Sequence, residues 1–296
     1  MTKQWSAMDE YFGFDLGDIM YSIFQDTVAD MTWTEIEEAL QKGAVVLSPT
    51  GVIEQQGPHL PTAVDIYESH YICRNIKQRL QKENIPIIIS PPYYFGVNHI
   101  TGAFPGSFTS RRETVQSVLF DMWESLFRWG AKHIFVIDVH GDKLHGDALY
   151  SAVRKTRETL DIDVRLVISN LLADQLRISK DQEEFLIFDI DFSFSSFQPP
   201  PNYPDFHAGA QGTARFLKYF PNLVRQEKIN ELPPRLLSAE DLKGWQLGGE
   251  SARAVTPYGY VGDPQKYVPF LTKNKMDFIS GFIEFASREL LHYLKR

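Results

Sequence analysis

A single cysteine, Cys73, in 296 residues excludes an internal disulfide and any zinc or iron–sulfur centre built on thiolates. A metal here would have to be held by carboxylate, imidazole and amide donors. Cys73 itself falls on the apolar stripe of a predicted helix and reads as packing. No window approaches the roughly 20 apolar residues that span a bilayer. The opening stretch, with acids at Asp9 and Glu10, lacks the basic region and apolar core of a secretory signal, so a soluble cytoplasmic protein with no membrane partner is expected. Positive charge is also scarce: 30 Lys and Arg face 38 Asp and Glu, a formal net charge of -8. The basic residues are scattered apart from pairs such as Arg111 and Arg112, which argues against a nucleic-acid footprint and for a small-molecule or peptide substrate. Repeats, linkers and low-complexity tracts are absent, so a single domain over 1–296 is expected, with the aromatic and acidic residues 1–30 as a possible arm.

What is present is 43% hydrophobic residues, ample for a core, in an alternation of short Val and Ile runs with segments of helical period. Residues 44–49, 86–90, 133–140 and 163–169 read as buried strands; 65–82, 113–130, a segment ending near Leu160, 207–219 and 277–295 read as helices. The spacing of Thr34 and Glu37 predicts a capping box opening a helix over 32–41. Strands alternating with helices predict an α/β fold with parallel pairing. Around Phe188 a period-two alternation of Phe and Ile with Asp and Ser runs into three prolines, a half-buried strand or lid leading into a stiff loop.

The stretch GVIEQQGPHLPTAVD, from Gly51 to Asp65, places Glu54, Gln56, His59 and Asp65 between the first strand and its helix. Ligands of open α/β sheets collect beyond the carboxyl ends of the strands. Asp65 reads either as a helix N-cap or as a ligand, since Asp is a leading residue at that position. His140 and Asp142 stand at the end of the third strand, on the same edge. His207, in DFHAG, is a further contributor, while His59 is assigned to loop structure and His70, His133, His145 and His292 have no evident partner. Glycines flank His99 in the loop after the second strand, where backbone N–H groups could meet an oxyanion.

These residues resemble the creatininase (creatinine amidohydrolase) family. GVIEQQGPHLPTAVD is similar to its pattern G-S-x-E-Q-H-G-P-H-L-P-x-x-x-D, and weaker likenesses follow in order through GVNHITGAFPGSFT, VIDVHGDK, DFHAG and YGYVGDP. The resemblance implies a three-layer α/β/α sandwich with a mostly parallel central sheet, commonly a homohexamer, in which divalent metal activates water to open an amide. By position it assigns Glu54, Asp65 and His140 to the first metal, with Asp65 bridging to a second. Gln56 and Asp142 stand at the second-metal positions, with Asp142 also a proton acceptor, and His207 passes a proton or polarises the scissile carbonyl.

Three departures from the pattern bear on substrate and metal. Gln56 replaces an imidazole by an amide, Asp142 is one methylene shorter than the glutamate of the creatininases, and Gly212 stands where the family has a glutamate. The expected activity is a metal-dependent amidohydrolase carrying one or two Zn, Mn or Fe ions per chain and cleaving a C–N bond of a small cyclic amide, formamide or related compound. The alternatives are a peptide-trimming hydrolase of the same family and a non-catalytic binding or assembly protein.

Overall fold

The computed structural model describes residues 21–189, 203–272 and 277–296. Five strands form one sheet: β1 (Val45–Pro49), β2 (Ile87–Ile89), β3 (His133–Ile137), β4 (Asp163–Ser169) and β5 (Phe185–Phe188). Their order is β2-β1-β3-β4-β5, and every pairing is parallel. The helices used below are α1 (Trp33–Gln41), α2 (Val64–Gln81), α3 (Arg112–Arg128), α4 (Lys143–Thr159), α5 (Asn170–Leu176), α6 (Ala210–Tyr219), α7 (Ala239–Leu247), α8 (Gly249–Val255) and α9 (Phe278–Leu294).

The strands are apolar on both faces because both are covered, as expected of a parallel sheet. Val46, Ile134, Val136 and Val164 meet Leu119 and Trp123 of α3 and Leu149 and Val153 of α4. The intervening residues Val45, Leu47, Phe135 and Ile137 meet Ile72 and Ile76 of α2 and Ile279 and Phe282 of α9. This two-residue period generates the α/β/α sandwich from sequence. Cys73 is fully buried in the second layer, consistent with packing.

Several local expectations shift. The capping box of α1 uses Thr32 and Glu35, two residues earlier than Thr34 and Glu37, because Thr32 supplies the extended backbone that an N-cap needs. The third strand ends at Ile137 and not at His140, since Asp138 turns its carboxylate back to accept from the His140 N–H at 2.9 Å. His207 does not open a helix: it forms an antiparallel bridge with Val261, and α6 begins at Ala210. Of the expected arm, residues 1–20 lie outside the described residues, whereas Tyr21 packs against Tyr67, Tyr71 and Phe220. Of the alternating stretch, Phe185–Phe188 is a strand, and residues 190–202 lie outside the described residues. Among the described residues no helix is long and apolar enough to cross a membrane.

Candidate metal centre

In the strand order 2-1-3, the connection from β1 leaves to one side and β3 lies on the other. The crevice at the carboxyl ends of β1 and β3 is therefore the topological switch point of the sheet. The loop after β1 is closed by the Glu54 N–H donating to Thr62 O at 2.8 Å. It delivers Glu54, and α2 delivers Asp65 from its second position. The N-cap of α2, Ala63, makes no side-chain cap bond, so the Asp65 carboxylate is not the cap. It turns into the crevice instead, where the helix N-terminus favours negative charge.

The loop after β3 brings His140 to the same point. Its Nδ1 lies 2.9 Å from Asp65 Oδ2 and 3.3 Å from Glu54 Oε1, and all three side chains are nearly inaccessible. One donor atom from each of Glu54, Asp65 and His140 falls within 4.8 Å of the other two, and neither Asp142 nor His207 belongs to this group.

The three side chains set one another's charge. Burial pushes the Glu54 carboxyl up, but the charges of His140 and His207, with hydrogen bonds from His140 and Thr101, more than reverse this and hold it at about 2. Burial raises Asp65, partly offset by His140. Burial also disfavours the His140 imidazolium, yet the two carboxylates raise its pKa well above the ordinary range. A protonated His140 thus supplies the positive charge that two buried carboxylates demand. His140 Nε2 is nevertheless buried without a hydrogen-bond partner, and Asp65 Oδ2, although ion-paired with His140 Nδ1 at 2.9 Å, makes no well-formed hydrogen bond. A buried polar atom left without a partner costs about 1–3 kcal/mol. A ligand set of two carboxylates and an imidazole suits Zn, Mn or Fe, so these residues fit a divalent ion.

The surrounding shell fixes these donors. Thr101 Oγ1 donates to Glu54 Oε2 at 2.6 Å, and Gln56 Nε2 donates to Glu54 Oε1 at 3.1 Å. His207 Nδ1 stands 3.8 Å from Glu54 Oε1, and its Nε2 lies 3.0 Å from the Gln55 carbonyl oxygen. Trp245 of α7 flanks the His207 ring at a centroid distance of 5.3 Å. Asp142 caps α4 and accepts from the Leu144 N–H at 2.8 Å through Oδ1. Its Oδ2 accepts from the N–H groups of His99 and Ile100 at 2.7 and 3.1 Å. The backbone donors expected to face an oxyanion beside His99 are therefore engaged by Asp142. His59, assigned to the loop, is fully buried and bonded through Nε2 to Thr213 Oγ1 at 2.8 Å.

Sequence reasoning missed Asp138 and His145. Asp138 Oδ2 receives His145 Nε2 at 3.0 Å and Thr50 Oγ1 at 2.8 Å. His145 Nδ1 accepts the Val97 N–H at 3.2 Å, which places the ring proton on Nε2. The pair braces the turn that carries His140. Position two before His140 was the only signal for Asp138, and His145 lies outside every motif. His70, also left without a partner, bonds Tyr21 Oη at 2.7 Å and the Gln25 carbonyl at 2.9 Å.

Comparison with known proteins gives the family and the fold. The chain is 23% identical over 231 residues to creatinine amidohydrolase of Pseudomonas putida, covering 73% of this chain and 80% of the relative. It is 25% identical over 223 residues to the mycofactocin precursor peptide peptidase of Mycobacterium ulcerans, covering 74% of each. A creatininase structure with manganese superimposes with a TM-score of 0.59 at 16% identity, over 91% of this chain and 97% of the other. The family profile described as creatininase, creatinine amidohydrolase, matches residues 29–272, and the chain belongs to that family.

Proposed function

We propose that the protein is a metal-dependent amidohydrolase that cleaves a C–N bond of a small cyclic amide, formamide or related compound. The observation that carries this reading is the convergence of Glu54, Asp65 and His140, with orphaned buried donor atoms on two of them. These three residues would hold the ion, which when bound supplies Lewis acidity to a carbonyl oxygen and acidifies water. Hydrolysis adds water across the amide carbon and releases a carboxylate and an amine, so one proton must leave the water and one must reach the nitrogen.

His207 is placed for that transfer. Its Nε2 lies 3.0 Å from Gln55 O and 3.1 Å from Gln55 Nε2; in the tautomer that donates to Gln55 O, Nδ1 keeps a lone pair on the side of Glu54, where it would take a proton and return it to the departing nitrogen. Trp245 beside the ring restricts its rotation and shields it from water. Asp142, the other expected proton acceptor, is less suited because both its oxygens already accept backbone N–H groups.

The likeness to a peptide peptidase favours a second substrate class, trimming of a peptide, by the same chemistry. The test is turnover of a panel of lactams, formamides and short peptides by protein loaded with Zn2+ or Mn2+. Hydrolysis of at least one class is expected, falling at least 100-fold in His207→Asn with metal content unchanged. Full activity of that variant would remove His207 from the mechanism. A metal-loaded protein inert towards all three classes would favour a binding or assembly protein.

A further inference from the structure

We infer that the centre is built for one ion per chain, and that Asp142 acts as the anchor of the 98–101 loop in place of a ligand. This rests on the metal-dependent reading above. A second ion beside the first would need its own donors, and Gln56, Asp138 and Asp142, which border Glu54, Asp65 and His140, have other partners.

Gln56 presents its amide nitrogen to Glu54 Oε1 at 3.1 Å. In that orientation the amide faces Glu54 as a donor and offers no lone pair there. Asp138 accepts from His145, Thr50 and the His140 N–H. His207 Nδ1 faces Glu54 Oε1 at 3.8 Å but lies outside the group of three donors, and one nitrogen is too few to hold a second ion.

Asp142 is the decisive case. Its side chain is 5% exposed, and its two oxygens take three backbone N–H groups, those of Leu144, His99 and Ile100. Drawing it onto an ion would strip the partners from two N–H groups of the 98–101 loop, and orphaned donors are costly. That loop is also fastened from the far side, where the Gly249 N–H at the start of α8 donates to the carbonyls of His99 and Ile100 at 3.1 and 3.0 Å. The held loop carries Thr101, whose hydroxyl orients Glu54 Oε2 at 2.6 Å. Asp142 therefore reaches the ion only through the loop, Thr101 and Glu54, as a positioning residue. Outer-shell partners of this kind typically change metal affinity 10–100-fold when removed.

The test is metal counting by mass spectrometry on the full chain. Apoprotein is saturated with Zn2+, or separately with Mn2+, and freed of excess ion; amide exchange of the folded wild type and Asp142→Asn is followed in parallel. One ion per chain is expected in both. The variant should bind Zn2+ 10–100-fold more weakly, and its His99 and Ile100 amides should exchange faster. Two ions in the wild type, or a variant that binds none at saturation, would overturn the inference while leaving a metal-dependent protein. Unchanged exchange at His99 and Ile100 would overturn the anchoring role. No ion in the wild type would overturn the reading on which the inference rests. If Asp142→Asn does not fold, the wild-type count still decides the stoichiometry.

Discussion

Asp65→Asn separates the metal reading from a purely structural one without recourse to a substrate. Asp65 is 6% exposed, contributes an orphaned oxygen and shares its imidazole with a second carboxylate. Exchanging it for an amide of the same shape removes one buried negative charge while leaving Glu54 paired with His140, so the apoprotein should change by no more than about 1–2 kcal/mol, the scale of one hydrogen bond. The difference appears on adding metal. An ion present at 1,000 times its dissociation constant stabilises the fold by about 4 kcal/mol. With an unfolding entropy of roughly 2.1 cal/mol/K per residue, a chain of this length should melt about 6–7 °C higher. Differential scanning calorimetry with and without Zn2+ should show that rise in the wild type and no more than about 1 °C in the variant. A full shift in Asp65→Asn would mean the ion binds elsewhere, and the argument from the orphaned carboxylate would fail.

Other perturbations probe the shell and the scaffold. Gly96 has no room for a side chain, since a Cβ there would stand 2.3 Å from the His145 ring and 2.8 Å from Val52. Gly96→Ala should therefore push His145 off Asp138, cost about 2–4 kcal/mol in urea unfolding and weaken Zn2+ binding; retention of both would show that the Asp138–His145 pair does not brace His140. Gly259 has φ +74 and faces Gln55 Oε1 at 1.9 Å from an added Cβ, so Gly259→Ala should lower turnover more than stability, read by kcat beside a thermal melt. Burial holds His59 at about 4, and the same cause, partly offset by the Gln25 carbonyl, holds His70 at about 4. Both folded values lie below the unfolded value of about 6.5, so stability is complete above pH 6.5 and falls toward pH 4, by up to about 3 kcal/mol per histidine. Urea titrations at pH 7, 6 and 5 check this, and a flat profile would refute it. Burial opposes ionisation of Asp163, but His133, Arg165, Tyr293 and Arg157 together hold it well below the ordinary range. Its contribution is present above the unfolded pKa near 3.9 and is lost as pH falls through the lower folded value. Asp163→Asn should cost about 2–4 kcal/mol at pH 7 by urea unfolding, and a loss below 0.5 kcal/mol would contradict it.

The layers were legible because Val45 to Leu47 and His133 to Ile137 alternate between two covered faces, so apolar runs and helical period sufficed. Glu54 and His140 stand in the loops after β1 and β3 and Asp65 in the first turn of α2, all on the edge where ligands of such sheets collect, and the resemblance to the creatininase pattern assigned all three to one metal. Choosing between cap and ligand for Asp65 was not open to sequence, since both uses place Asp at the start of a helix and differ only in where the carboxylate turns. Asp142 shows the same limit in reverse. Its spacing from His140 reads as a ligand's, and the sequence carries no sign of the His99 and Ile100 N–H groups, more than forty residues away, that its carboxylate accepts. His145 was invisible for a related reason: a histidine on a helix face carries no sign of the Asp138 and Val97 groups that meet it.

What makes the centre possible is strand order more than any motif. Glu54 and Asp65 follow β1 and His140 follows β3, strands that are neighbours in space with β2 lying between them in sequence. Adjacent strands lie about 4.8 Å apart, close to the spacing at which three donors can share one ion. Had β2 inserted between β1 and β3, about 10 Å would separate the two exits, and the same residues would face different neighbours. The crossover that sends β2 to the outer side of β1 therefore sets the reach of the site, and the loops only tune it.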